Sequence, residues 1–347
     1  PPDRAEIEAW LREEDPQRLE ALWHRADAVR AANVGDAVHL RGLIEISNIC
    51  VRNCAYCGLR AGNADLERYR MSREEILDCA RKAVAFEYGT VVIQAGEDYG
   101  ITREWLADVI REIKRETPLA VTLSMGERPF EELAAWREAG ADRYLLRFET
   151  SDPELYAAIH PSLPDRPSDR IAILKQLREL GYEIGGGVMI GLPGQTYSGL
   201  AADIEIFRRL DLDMVGVGPY IAHPGTPLGG NPRPRPIPPE EQVPQTELMT
   251  YKVVALTRLV CPEANIPSTT ALATINKATG RELGLSRGAN VVMPNLTPPR
   301  YRVLYEIYPE KACINETAAQ CQVCLSGRIH AIGREIGGGR GDRMRRT

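Results

Sequence analysis

Long apolar runs are missing from these 347 residues, and so is any excess of positive charge. No stretch has the length and hydrophobicity of a membrane span, and none forms a secretory apolar core, so a soluble, cytoplasmic protein without a membrane partner is expected. Forty-three Lys and Arg against 48 Asp and Glu give a net charge of -5, which offers no electrostatic footprint for nucleic acid. The basic ending GRGDRMRRT reads as a solvated, frayed terminus. Aromatics are scarce at 6%, but an apolar fraction of 44% is ample for a large core. No Gly-rich dinucleotide fingerprint follows the first expected strand, which counts against a doubly wound sheet. A disulfide framework is excluded as well, because it belongs to short exported chains. Yet eight cysteines are present, and six fall in two tight trios at 50, 54, 57 and at 313, 321, 324. Such clustering in a reducing compartment favours metal ligation. Cys79 and Cys261 sit in helix-like and apolar surroundings and read as small core residues.

Residues 1–36 read as an acidic, amphipathic helical extension stopped by Gly35. A strand and helix rhythm then starts, with apolar or β-branched runs at 43–47, 90–96, 120–126, 143–149, 184–191, 213–219, 266–272 and 290–295. Helical patterns lie between them, and Ser72 with Glu75 forms a capping-box signature before one. Eight strands alternating with helices predict parallel pairing and an α/β fold, a (β/α)8 TIM-type barrel, over residues 37–300. A C-terminal segment, 301–347, carries the second cysteine trio and the basic tail. The Pro-rich stretch 231–241 reads as a stiff loop.

Cys50, Cys54 and Cys57 follow the first strand at the barrel mouth, where such folds do chemistry. Soft thiolates select zinc, copper(I) or iron–sulfur clusters. A structural zinc needs a fourth ligand, and no Cys or His follows nearby. A cubane cluster on three cysteines leaves one iron open, and Tyr56 is an aromatic placed to stack beside its occupant. Alternation along the strands pairs Gln94 with Gly96, Thr122 with Ser124, and Arg147 with Glu149 on inward faces. Buried charges there need partners or a ligand, so either a structural ion pair or a polar ligand cavity is expected.

The C-x3-C-x-aromatic-C loop after a strand resembles the radical S-adenosylmethionine (SAM) superfamily. The runs GADRYLLRFET, GLPGQT, IPSTTAL and GANVVMPNLTP resemble its biotin synthase-related branch, and within it the HydE family of [FeFe]-hydrogenase maturases. This resemblance implies a [4Fe–4S] cluster whose open iron chelates SAM, and one-electron cleavage of SAM to a 5′-deoxyadenosyl radical. It implies SAM contacts at Tyr56, Gly96, Glu97, Ser124, Glu149 and Arg170. AGED (95–98) stands where the superfamily has Gly-Gly-Glu, with Ala95 at the first Gly, and Gly194 stands where an acid is usual in GVMIGLPGQT.

For a substrate cavity the resemblance supplies Gln94, Thr122, Arg147, Met214, Thr269, Thr270, Ala271, Tyr305 and Tyr308. The implied role is assembly of the hydrogenase di-iron subcluster from an organometallic Fe(CO)2(CN)–cysteine substrate. The implied partners are the maturases HydG and HydF, with ferredoxin or flavodoxin as electron donor in an anaerobic cytoplasm. Cys313, Cys321 and Cys324 are implied to hold a second iron–sulfur cluster, [2Fe–2S] or [4Fe–4S], with a labile zinc or free thiols as the alternatives. A methylornithine synthase-like mutase and a non-enzymic iron–sulfur scaffold remain alternative readings of the whole chain.

Overall fold

A computed structural model describes residues 1–230 and 234–344. Its strands are β1 (Ala37–Ser47), β2 (Thr90–Ala95), β3 (Ala120–Ser124), β4 (Arg143–Leu145), β5 (Glu183–Gly186), β6 (Met189–Ile190), β7 (Met214–Val215), β8 (Gly218–Pro219), β9 (Val291–Val292) and β10 (Glu335–Gly337). Strands β1, β2, β3, β4, β5 and β7 pair in that order, all parallel, and β9 returns to β1 through His39↔Val291 and Leu40↔Val292. Single bridges Met214↔Asn265 and Pro267↔Val291 span the remaining gap. The ring therefore closes with eight parallel positions, as the alternating pattern predicts. Valine, isoleucine and leucine fill the strand faces that turn toward the helices, and nearly all of them are buried.

Several expected strands differ from the ones observed, and the run 213–219 divides between β7 in the main sheet and β8, which pairs β6. The run 266–272 contributes only its two bridging positions, because Pro267 has no N–H for a ladder and Thr269 caps a helix over Thr270–Ile275. The run 143–149 stops pairing regularly after Leu145, and the chain turns at Glu149, whose φ is +63°. The run 184–191 splits into β5 and β6 at Gly187, where φ is +150° and a Cβ would lie 1.9 Å from the Gly216 carbonyl. Only glycine permits that approach.

Residues 1–36 form two helices rather than one, Arg4–Arg12 and Pro16–Val34, separated where the Asp15 carboxylate caps the second and Pro16 opens it. They pack on the helices Tyr197–Arg209 and Glu247–Val260, so the latter is buried from Met249 onward. The predicted capping box forms: the Ser72 N–H donates to Glu75 Oε2 at 2.7 Å. Residues 231–233 of the Pro-rich stretch lie outside the described residues. Farther along it, Arg235 donates to the Gly194 carbonyl and pairs with Asp152.

The basic tail is not frayed up to residue 344. β10 lies parallel to β1, with Ala37↔Glu335 in register, and the chain then crosses the floor of the barrel. There Thr90 and Arg143 donate to the Arg340 carbonyl at 2.8 and 2.9 Å, and Arg343 reaches Asp213 and Glu263. Its charges are used on the carboxylates and carbonyls that line the strand starts, which a composition-based reading misses. Residues 345–347 lie outside the described residues.

Candidate active site

The loop carrying Cys50, Cys54 and Cys57 is fastened on three sides. The Val51 N–H donates to the Glu97 carbonyl at 3.0 Å, Ala55 N–H to Ile159 at 2.8 Å, and Gly58 N–H to Ile307 at 2.9 Å. A Cβ on Gly58 would stand 2.2 Å from the Glu306 carbonyl, so the loop could not close on the C-terminal segment with any other residue. A Cβ on Gly96 would likewise stand 2.2 Å from the Ile49 carbonyl. Tyr56 packs against the apolar group of Leu155, Leu192 and Tyr220.

The three sulfurs border a cavity of about 330 Å³ that runs down the barrel. Tyr56, Gly96, Glu97, Ser124, Glu149 and Arg170 line it, as does most of the expected substrate set: Gln94, Arg147, Met214, Thr269, Thr270, Ala271, Tyr305 and Tyr308. Thr122 does not. It is buried one layer deeper, and its hydroxyl has no hydrogen-bond partner. Gln94 donates to the Tyr305 hydroxyl at 3.2 Å. Arg147 lies 2.9 Å from Glu149 Oε2, so the ion pair forms, yet that oxygen receives no aligned hydrogen bond and is otherwise orphaned in the cavity.

The sequence reading overlooked the floor of the cavity. Arg41 and Asn265 line it and donate to the Gly341 carbonyl of the tail at 2.9 and 3.1 Å. Higher up, level with Gln94, Glu45 and Lys311 line the cavity as an ion pair, and Asn295 donates to the second Glu45 oxygen at 2.8 Å. Applying two-residue alternation to 41, 43 and 45 finds Arg41 and Glu45, once β1 is begun at residue 37 rather than 43. Lys311 and Asn265 carry no local pattern that points there.

Beneath the cysteine loop lies a buried charge network that the sequence did not reveal. Arg52 donates to Glu97 Oε1 and Glu127 Oε2, each at 2.8 Å, with all three side chains at most 3% exposed. The other Glu127 oxygen faces His160 Nε2 at 3.0 Å, Ser168 Oγ at 2.6 Å and Arg170 Nε at 2.9 Å. Burial pushes the Glu127 carboxyl up, but these donors outweigh it and hold it at about 2. His160 Nδ1 in turn stands 2.9 Å from Cys54 Sγ. Arg170 also donates to the Arg147 carbonyl at 2.6 Å, which fixes its guanidinium at the cavity wall. Burial pushes the Cys54 thiol up to about 12 and raises Cys50 and Cys57 too.

In the C-terminal segment the donor atoms of Cys313, Glu316 and Cys321 all lie within 4.8 Å of one another. Cys324, one turn along the helix Ala318–Ala331, lines the same cavity of about 430 Å³ but stands outside that tight group. The facing Cys313 and Cys321 thiols shift each other in opposite directions, Cys321 downward and Cys313 upward. Glu316 is a donor that the cysteine spacing alone does not reveal.

A model of the radical SAM superfamily matches residues 44–207. The "[FeFe] hydrogenase maturase subunit HydE" of Thermotoga maritima is 47% identical over 94% of this chain and 89% of its own length. The chain belongs to the radical SAM superfamily, within the HydE family. A 3-methylornithine synthase of Methanosarcina acetivorans is 29% identical over 83% of this chain and 77% of its own. In three dimensions this radical SAM enzyme superposes on methylornithine synthase (PylB) with a TM-score of 0.78, at 22% identity, over 96% of this chain and 94% of the other. That likeness concerns the fold alone.

The [4Fe–4S] cluster and SAM that mark radical SAM enzymes fit the residues present. Three soft donors converge on one cavity, and burial keeps their free thiols neutral, so a bound cation is what would draw off their protons. The orphaned Glu149 oxygen and the fixed Arg170 guanidinium supply the acceptor and the cation that a polar, zwitterionic ligand requires. Among the described residues no helix is long and apolar enough to cross a membrane.

Thr122 yields a prediction. Its hydroxyl is buried without a partner, which costs about 1–3 kcal/mol. Thr122→Val is expected to leave the melting temperature unchanged or raise it by a few degrees. A drop of more than about 1 kcal/mol in chemical denaturation would mean that the hydroxyl is bonded in the folded protein.

Proposed function

We propose that this radical SAM enzyme is an [FeFe]-hydrogenase maturase that acts on an organometallic Fe(CO)2(CN)–cysteine substrate to build the di-iron subcluster precursor. The observation that carries this reading is a single cavity with cysteine donors at its mouth and cationic and hydroxyl groups below. The T. maritima relative, nearly full-length and 47% identical, supports the biological role. Cys50, Cys54 and Cys57 would hold the cluster, which when bound would supply the one-electron reductive cleavage of SAM.

The chain's own residues then divide the work. Glu149, whose Oε2 is ion-paired with Arg147 but accepts no aligned hydrogen bond, offers its carboxylate to the ribose hydroxyls, and Arg170, oriented by Glu127, meets the SAM carboxylate. Ser124 and the backbone of Gly96 and Glu97 complete that contact set, and Tyr56 flanks it. Arg147, Gln94, Met214, Thr269, Thr270, Ala271, Tyr305 and Tyr308 bound the substrate compartment below. Its inward arginines suit cyanide and carboxylate groups, and the tail across the floor keeps bulk water from the radical. HydG would deliver the substrate, HydF would receive the product, and ferredoxin or flavodoxin would supply the electron in the cytoplasm. Cys313, Cys321 and Cys324 would hold the second iron–sulfur centre.

The test is anaerobic reconstitution followed by dithionite, SAM and the iron–cyanide cysteine complex. 5′-Deoxyadenosine is expected to form, faster with that complex than with lysine. None formed by protein with an intact cubane signal would sink the enzyme reading, and a preference for lysine would redirect it to a mutase. Glu149→Ala is expected to raise the KM for SAM about tenfold, equivalent to ~1.4 kcal/mol of binding. An unchanged KM would remove Glu149 from the contact set.

A further inference from the structure

We propose that Glu316 is a metal ligand, and that with Cys313, Cys321 and Cys324 it closes a four-donor centre in the C-terminal segment. The inference rests on the second centre proposed above and supplies the ligand that three cysteines leave missing. Among the described residues, Cys313, Glu316 and Cys321 are the one group of His, Cys, Asp and Glu donors whose atoms all fall within 4.8 Å of each other. Metal–sulfur bonds of ~2.3 Å and metal–oxygen bonds of ~2.0–2.2 Å put neighbouring tetrahedral donors roughly 3.5–3.8 Å apart. Small side-chain rotations bring the observed group to that spacing. Cys324 follows Cys321 by three residues on one helix and faces the same cavity, so one face of that helix supplies two sulfurs.

An exposed glutamate near cysteines is by itself unremarkable, and what distinguishes Glu316 is how its backbone is held. The buried Arg302 guanidinium donates from one nitrogen to the carbonyls of both Cys313 and Glu316. Its other nitrogen donates to Asn295 and Thr297 at 3.0 and 2.9 Å, anchoring the clamp in the barrel wall. Cys313 is held at φ +61°, a left-handed conformation that costs a non-glycine residue about 1–2 kcal/mol. Such strain persists only where surroundings over-determine it, and it occurs at the residue whose sulfur lies within 4.8 Å of the Glu316 donor oxygen. Arg281 lies 3.8 Å from that sulfur, and its buried Nε has no partner, so a cation is already placed beside a centre of net negative charge. Thr317 then caps the helix directly after Glu316, which fixes the Glu316 backbone relative to the helix that carries Cys321. An oxygen donor among thiolates also gives a centre with its own absorption and magnetic signature.

The full-length protein is reconstituted with ferrous iron and sulfide alongside Cys321→Ser, Glu316→Ala, Glu316→Cys and Glu310→Ala. Iron and sulfide per chain, visible absorption and EPR of the reduced protein are read, with circular dichroism as the folding control. Glu316→Ala is expected to lose at least half of the iron that Cys321→Ser loses. Glu316→Cys is expected to restore it with a changed absorption band, and Glu310→Ala, an exposed acid on the same cavity, to match wild type. Wild-type metal content and spectra in Glu316→Ala, beside loss in Cys321→Ser, would overturn the ligand role. Equal loss in Glu310→Ala would also overturn it, by reducing the effect to surface charge. No loss in either Cys321→Ser or Glu316→Ala would remove the second centre itself and leave the barrel chemistry untouched.

Discussion

Cys57→Ser is expected to abolish 5′-deoxyadenosine formation, a loss of at least about a thousandfold, and to strip the cluster from the barrel mouth. Cys79→Ser, the same chemical change, is expected to leave both intact. Cys57 borders the cavity beside Cys50 and Cys54, whereas Cys79 is fully buried in the helix Arg73–Ala85 with its sulfur 3.4 Å from the Leu296 carbonyl. A serine oxygen is a hard donor with a far less acidic proton than a thiol, so it does not replace a thiolate on iron. At Cys79 the hydroxyl can take over the bond to Leu296, and the cost is confined to burying a slightly smaller, more polar group, about 1–2 kcal/mol. Iron content and product are measured on the two variants in parallel. Equal effects would mean that the ligand set has been misassigned.

The first cysteine trio was legible because its chemistry depends on spacing along one short loop. The barrel was legible for a similar reason, since strand and helix periods repeat locally. The inward pairs 94/96, 122/124 and 147/149 followed from alternation, and only Thr122 fell short of the cavity, by one layer. What stayed hidden was long-range. Arg340 to Arg343 read as a solvated basic tail because nothing local signals that Asp142 and Asp213, each just before a strand and 198 and 130 residues away, present carboxylates to it. Arg52, Glu97, Glu127 and His160 are scattered over more than a hundred positions and meet only when the barrel closes. Strand positions 146–149 and 266–272 misled because the chain turns at Glu149 with φ +63° and Thr269 caps a helix, so neither run continues its ladder.

Arg52→Met is expected to lower the melting temperature by about 10 °C and to move the acid limb of the unfolding curve to higher pH. Arg52 lies inside the cysteine loop and is the cation between Glu97 and Glu127. Methionine fills much of its volume but leaves two buried carboxylates facing each other, and removing one member of such a group costs about 3–5 kcal/mol. At roughly 2–4 °C per kcal/mol for a chain of this size, that gives the expected shift. The sign with pH follows from Glu127, whose carboxyl is held at about 2 against an ordinary 4.5. A depressed carboxyl stabilises the fold above its unfolded value, and that contribution is lost as pH falls through about 2. Without Arg52 the depression shrinks, so the variant loses stability at a pH where wild type still keeps it. The triple variant Arg52→Met, Glu97→Gln, Glu127→Gln removes the unpaired charge and is expected to recover most of the stability. Its cluster retention is expected to stay low, because Glu127 also orients His160 beside Cys54 and Arg170 at the cavity wall. Thermal melts between about pH 3 and pH 7, with iron per chain on the same samples, separate the two roles. A single variant that melts within about 2 °C of wild type would show that Arg52 is replaceable packing. Full iron in the triple variant would show that the network stabilises the fold without positioning the cysteine loop.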